Sequence, residues 1–286
     1  MRCLLILTFA IGPLVAQHHH HDQNLDWTYN DQETIHRSFT LTGADRKLVI
    51  DNVSGYIHVT GSEGSQLELN IVRHNHAESR DRLDAAKNRV RLDISQQGNT
   101  VDVFEDGPFR NGSDGINYRG DDHYGYVVIF DYDIKVPRDI ELVLKDFNHG
   151  DITVSGTSGR FEVHDFNGGI TMDQVAGSGK VHTFNGPVKV TFSRNPEHDL
   201  EVHSFNGAVD MYFPQDLNAD LRYKTFNGGV YTDFEVAPMG TSSGRINGMH
   251  YVYRSGRDGS GRIGKGGPEL SFHSFNGPIR LHAKNQ

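Results

Sequence analysis

The stretch LEVHSFNGAVDMYF, residues 200–213, decides the fold. Leu200 and Val202 alternate with polar neighbours, Phe205-Asn206-Gly207 interrupts the alternation, and an apolar residue returns at Val209. A period of two is the signature of a strand with one buried face, and Asn-Gly is turn chemistry. The segment therefore reads as two short strands joined at a corner.

The corner recurs. Phe-Asn-Gly stands at Phe166-Asn167-Gly168, Phe184-Asn185-Gly186, Phe205-Asn206-Gly207, Phe226-Asn227-Gly228 and Phe275-Asn276-Gly277, preceded by the variant Phe147-Asn148-His149-Gly150. From Phe147 to Phe226 the spacings are 19, 18, 21 and 21 residues; the last interval, of 49, contains the degenerate copy Ile246-Asn247-Gly248. Leu221 and Tyr223, or Leu270 and Phe272, precede the corner as Leu200 and Val202 do, and Ile170, Val188, Val230 and Ile279 follow it as Val209 does. The opening LVIDNVSGYIHV keeps the same register around Val53-Ser54-Gly55. A fixed period of this length predicts stacked supersecondary units, none of which buries its apolar face alone. The predicted fold is all-β: a parallel β-solenoid with rungs of about 18–21 residues, its identical side chains laddered at about 4.8 Å.

Corner glycines are expected at positive φ and corner asparagines are expected to stack. The residue before each Phe is Asp146, Asp165, Thr183, Ser204, Thr225 or Ser274, short polar groups suited to satisfying backbone at a bend. The phase at the corner is ambiguous. Strict alternation places each Phe on the face of the residue two before it, which is Lys145, His164, His182, His203, Lys224 or His273. Either the Phe turns inward at the bend, or an aromatic ladder lies outside beside a basic one. The size of the apolar stripe that the second arrangement exposes favours the first.

Residues 1–16 read as a signal peptide: Arg2, an apolar run from Leu4 to Leu14, and Ala16 at the cleavage point. The run is too short to cross a bilayer core of about 30 Å. Cys3, the single cysteine, falls within it, so the mature chain is expected to hold no disulfide or thiolate site. Residues 17–35 read as a polar, mobile segment, and 36–286 as one solenoid domain with loop insertions at 105–124 and 254–267. A short helix is expected near 77–89 from the spacing of Leu83, Ala86 and Val90. A net charge of −9 argues against nucleic acid as a partner. No later segment reads as a transmembrane anchor, and a secreted, periplasmic or cell-surface location is expected.

With its repeats laid out, the chain resembles the bacterial putative-adhesin family over residues 36–286. The resemblance runs from LVIDNVSGYIHVTG through VPRDIELVLKDFNHGDITVSGTSG to GPELSFHSFNGPIRLHAK. It implies a signal peptide, a β-solenoid of N-G rungs and a surface role, and no assigned biochemistry. The histidines on the strands and the Gly/Asp loop depart from the family pattern and inherit nothing from it.

Several groups of residues suggest chemistry. Lys145, His164, His182, His203, Lys224 and His273 form a candidate binding row. Within it, His182 and His203 are candidate ligands for Zn²⁺ or Cu²⁺, against the plainer reading of solvated strand positions. After cleavage, Gln17-His18-His19 would set His18 and His19 beside a free amine, a clamp for Cu²⁺ or Ni²⁺ or simply a solvated tail. No cofactor is expected beyond such adventitious metal. Stacked Asp146 and Asp165 have the spacing of a retaining glycosidase pair, which supports a polysaccharide-active enzyme as the alternative reading; capping of the corner is the plainer one. Gly259 to Lys265 matches phosphate-loop spacing, but Gly266 stands where Ser or Thr is required, so no nucleotide site is read there. The leading expectation is a non-enzymatic binding or structural protein of the cell envelope, with glycan or envelope-protein partners and a capacity to self-associate.

Overall fold

The computed structural model describes residues 27–111, 116, 124–148, 150–239, 244–247, 250–253 and 258–284. These residues form an all-β structure of two sheets, one of 12 strands and one of 11, with one short helix. Through the middle of the chain, successive strands alternate between the sheets. Glu141–Asp146, Phe161–Asp165, Gly179–Asn185 and Leu200–Asn206 pair in parallel in one sheet. Ile152–Ser155, Ile170–Val175, Val188–Phe192 and Val209–Pro214 pair in parallel in the other. The core lies between them, where Leu200, Val202, Val209, Met211 and Phe213 are essentially sealed from solvent.

The sheets are mixed, which corrects the expectation of a uniformly parallel solenoid. Tyr29–Thr40, Gln66–Ala77 and Tyr126–Pro137 run antiparallel, as do Arg91–Gln97 and Thr100–Asp106. At the opposite margin Asp258–Ile263 pairs antiparallel with both Ala219–Asn227 and Val236–Pro238. Antiparallel pairs thus flank the parallel coils; Arg91–Gln97 and Thr100–Asp106 are joined by a tight turn, whereas the other pairs bring together strands distant in the chain. Two segments expected to be irregular are strands for this reason: part of 17–35, which enters Tyr29–Thr40, and part of 254–267, which forms Asp258–Ile263. The latter also removes any phosphate loop from that stretch.

Stacking order departs from chain order at one place. Glu269–Asn276 lies between Leu200–Asn206 and Ala219–Asn227, parallel to both, and Ile279–Lys284 lies between Val209–Pro214 and Val230–Thr232. The C-terminal coil is therefore interior to the stack. The helix spans Arg80–Arg89, within the expected 77–89; Ser79 Oγ accepts from the Arg82 N–H at 3.2 Å, and Lys87 and Arg89 lie in the last turn, where the helix dipole favours cations.

Candidate functional site

The repeated corners converge on one face. Along Leu200–Asn206 the residues Leu200, Val202 and Ser204 are buried, which leaves Glu201, His203 and Phe205 pointing outward. Alternation therefore holds through the corner, and the inward placement favoured for Phe is corrected. Phe166, Phe184, Phe205, Phe226 and Phe275 are each between 38% and 43% exposed. The physical reason is the ladder itself. In-register parallel strands bring each ring onto the next at 4.6 to 4.7 Å, within 10° of parallel, in the order Phe147, Phe166, Phe184, Phe205, Phe275, Phe226. Each interior ring covers its faces with its neighbours and shows only its edge, so much of the expected exposure cost is removed.

The next two residues lock the ladder. Asn167 donates its side-chain N–H to Asn148 Oδ1 at 3.0 Å, and the chain of amide bonds continues through Asn185, Asn206, Asn276 and Asn227 at 2.7 to 2.8 Å. The expectation of positive φ fails at Gly168, Gly186, Gly207 and Gly228; it holds at Gly277, where φ is +155°, and at Gly55 of the opening corner, where φ is +120°. Their requirement for glycine is lateral. A Cβ on Gly168, Gly186, Gly207, Gly228 or Gly277 would collide with the glycine carbonyl oxygen of the adjacent rung.

The six residues of the predicted binding row do assemble, in the spatial order Lys145, His164, His182, His203, His273, Lys224. His182 and His203 stack at 4.5 Å and His203 and His273 at 4.4 Å, while His164 meets His182 edge-on. Burial, then the neighbouring His164 and His203, lowers the His182 pKa to about 4. The His203 pKa is lowered chiefly by burial and by His273, with Glu201 opposing. Both imidazoles are therefore neutral at pH 7.

Between the Phe and His/Lys rows runs a groove. One stretch of about 530 Å³ is walled by Phe205, Phe275 and Phe226 on one side and by His203, His273 and Lys224 on the other. A second stretch, of about 390 Å³, continues between Phe147, Phe166 and Phe184 and Lys145, His164 and His182, and ends against Asp51 and Arg110. Those two residues form a nearly buried ion pair at 2.8 Å, and the Arg110 guanidinium lies 4.5 Å from the Phe104 ring centre.

Glu201 belongs to this site and was not singled out from sequence. It shares the face of His203 because residues two apart on a strand point the same way. One donor atom from each of His182, Glu201 and His203 lies within 4.8 Å of the others, which makes this trio able to hold a metal ion. His18 and His19 lie outside the described residues.

Asp146 and Asp165 do not form an accessible acid pair. They border the second stretch of the groove but are only 5% and 3% exposed, on the inward positions of their strands. Burial, then Asp165, raises the Asp146 pKa to about 9 against an opposing 2.8 Å bond from the Asn52 amide. Burial, then Asp151, raises that of Asp165 to about 7; the loose approach of the Asn167 N–H opposes this only weakly, and neither oxygen makes a well-formed hydrogen bond. Nearby Glu105 is lifted to about 8 by burial, although it accepts from the Val53 N–H at 2.7 Å. In later rungs the same inward position holds hydroxyls that donate to corner carbonyls: Thr183 to Gly168, Ser204 to Gly207, Thr225 to Gly228 and Ser274 to Gly277.

No protein-family model and no curated protein matches the chain. Among solved structures, "a putative cell adhesion protein" from Clostridium sporogenes ATCC 15579 is 12% identical, with a TM-score of 0.38 over 89% of this chain and 100% of its own. "A putative adhesin" from Bacteroides fragilis NCTC 9343 is also 12% identical, with a TM-score of 0.33 over 88% and 97%. A "putative lipid binding protein" from Parabacteroides distasonis ATCC 8503 gives 12% and 0.28 over 87% and 96%. Likenesses this distant carry no functional argument, and the site rests on its own geometry. Among the described residues no helix is long and apolar enough to cross a membrane.

Proposed function

We propose that this is an exported, non-enzymatic binding protein, adhesin-like in role, whose coils form one β-solenoid over 36–286. Its partner is an extended segment of another envelope protein, laid along the groove between the Phe and His/Lys rows. The observation that carries the reading is the unbroken, half-exposed stack of corner phenylalanines beside the His/Lys row. A contiguous apolar stripe kept at the surface marks an interaction site, and aromatic anchors dominate the energetics of such sites. Six rungs at about 4.8 Å give a groove of about 24 Å, the span of about seven extended residues. A protein partner is favoured over a glycan because sugars pack on free aromatic faces, and here the interior faces are covered by neighbouring rings. The buried positions of Asp146 and Asp165 weigh against the polysaccharide-active alternative.

The test is capture from envelope extract and on a glycan array with the full chain and with a Phe184→Ser, Phe205→Ser variant that keeps its melting curve. A protein retained by the parent and lost by the variant, and cross-linked to a photoreactive group placed at Lys224 in the groove wall, supports the reading. Retention of a glycan alone, or of a protein equally by both forms, overturns it.

A further inference from the structure

We propose that His182, Glu201 and His203 form a site for one divalent transition-metal ion, Zn²⁺ by the nature of its ligands. Three observations carry this. The donors come from two adjacent strands held in register, His182 opposite His203, so the backbone fixes their relative position. Among the described residues this is the one trio of His, Cys, Asp or Glu whose donor atoms approach so closely. The third observation concerns the ring nitrogens. His203 Nε2 lies 2.9 Å from Glu201 Oε1 but out of line for a hydrogen bond, so it and His182 Nε2 are shielded from solvent with no hydrogen-bond partner. Nitrogen lone pairs left in that state are costly, and an ion is the group that would use both at once.

The ligand set fits the metal. Two neutral imidazoles and a carboxylate are borderline-soft donors of the kind zinc takes in open sites, with the fourth position left to water. The rings now lie 4.5 Å apart and 14° from parallel, so their lone pairs run side by side. Bringing both nitrogens to about 2.1 Å from one ion requires rotation about the Cβ–Cγ bonds, not backbone movement. Such rotation is open to side chains on an outer face. The charges around the site are mixed. Lys180 Nζ lies 3.6 Å from Glu201 Oε2 and opposes the ion, but it touches the oxygen that is not needed for ligation. His164 is held by Glu162 at 2.9 Å, which leaves it outside the trio, and His273 stacks on His203 without a carboxylate two residues before it. Glu201 precedes His203 by two residues, on the side away from Phe205, so a bound ion would sit beside the groove on the same outer face.

The experiment uses the full chain with His18 to His21 changed to Ala, which removes the competing N-terminal histidines. Titration with Co²⁺, a spectroscopic stand-in for zinc, is followed by visible absorption, and Zn²⁺ by calorimetry. The expected result is one ion per chain, a four-coordinate Co²⁺ spectrum, and a Tm raised by Zn²⁺ and returned by EDTA. His203→Ala and Glu201→Gln should each weaken binding by about tenfold or more, and His273→Ala should leave it unchanged. Glu201→Gln changes only an outward surface position, so it keeps the test valid if His203→Ala fails to fold. Absence of stoichiometric binding by the parent overturns the proposal, as does Glu201→Gln binding as tightly as the parent.

Discussion

Phe205 stacks on Phe275, 70 residues later in the chain, with ring centres 4.6 Å apart and planes within 4°. Phe226, the next corner in sequence, stacks on the far side of Phe275. The C-terminal coil is thus a wedge inside the ladder, hydrogen-bonded along both edges. Deleting residues 269–286 should therefore abolish cooperative unfolding, whereas removing a terminal rung from a sequentially stacked array would only shorten it. Circular-dichroism melting of the truncated chain checks this; a sigmoidal melt within about 5 °C of the parent would contradict it.

The corner glycines give a positional test. Gly207→Ala places a methyl against the Gly186 carbonyl and should cost about 3 kcal/mol or prevent folding. Gly169→Ala, three residues after the corner Phe166, meets only the Asp151 carboxylate at 3.3 Å and Pro187 at 3.5 Å, and has no positive φ. It should change stability by less than about 0.5 kcal/mol in urea denaturation.

The amide ladder predicts a second loss. Asn206 donates to Asn185 Oδ1 and accepts from the Asn276 amide, each at 2.7 Å. Asn206→Ala removes both bonds and leaves their partners to water, a loss of about 1 kcal/mol by the same denaturation assay.

The buried acids set the pH dependence. Asp146, Glu105 and Asp165 have folded pKa values of about 9, 8 and 7, above the ordinary 3.8 to 4.5 of carboxyls in an unfolded chain. The folded state therefore binds more protons than the unfolded one. Their contribution to stability is fully present below about pH 4 and is lost as pH rises through 7 to 9. The urea midpoint should fall from pH 5 to pH 9. Asp165→Thr, which places at this position the hydroxyl that later rungs use, should flatten part of that slope and stabilise the protein at pH 8 by about 1–2 kcal/mol.

Much of this was legible in the chain because it is local. Phe-Asn-Gly repeated at 18 to 21 residues identifies the rungs, and equal offsets from each Phe place Lys145, His164, His182, His203, Lys224 and His273 in one row. A side chain's position on a strand depends on counting by two, and in-register stacking follows from equal repeats. Glu201 was legible by the same count, two residues before His203 on the same face.

What the sequence determined by itself was the all-β class, the rung, and the asparagine ladder, since each follows from side-chain period and turn chemistry. Tertiary structure alone decided three things. The phenylalanines face outward because neighbouring rings cover one another, a saving that no single rung contains. The glycines are required by carbonyl oxygens of adjacent rungs, a contact invisible to local φ preferences. The last coil enters between the rungs of Phe205 and Phe226 because strand pairing is chosen by the edges available in space, and period carries no information about stacking order. The same corner that marks the repeat in the sequence becomes, once stacked, the surface and the lock of the molecule.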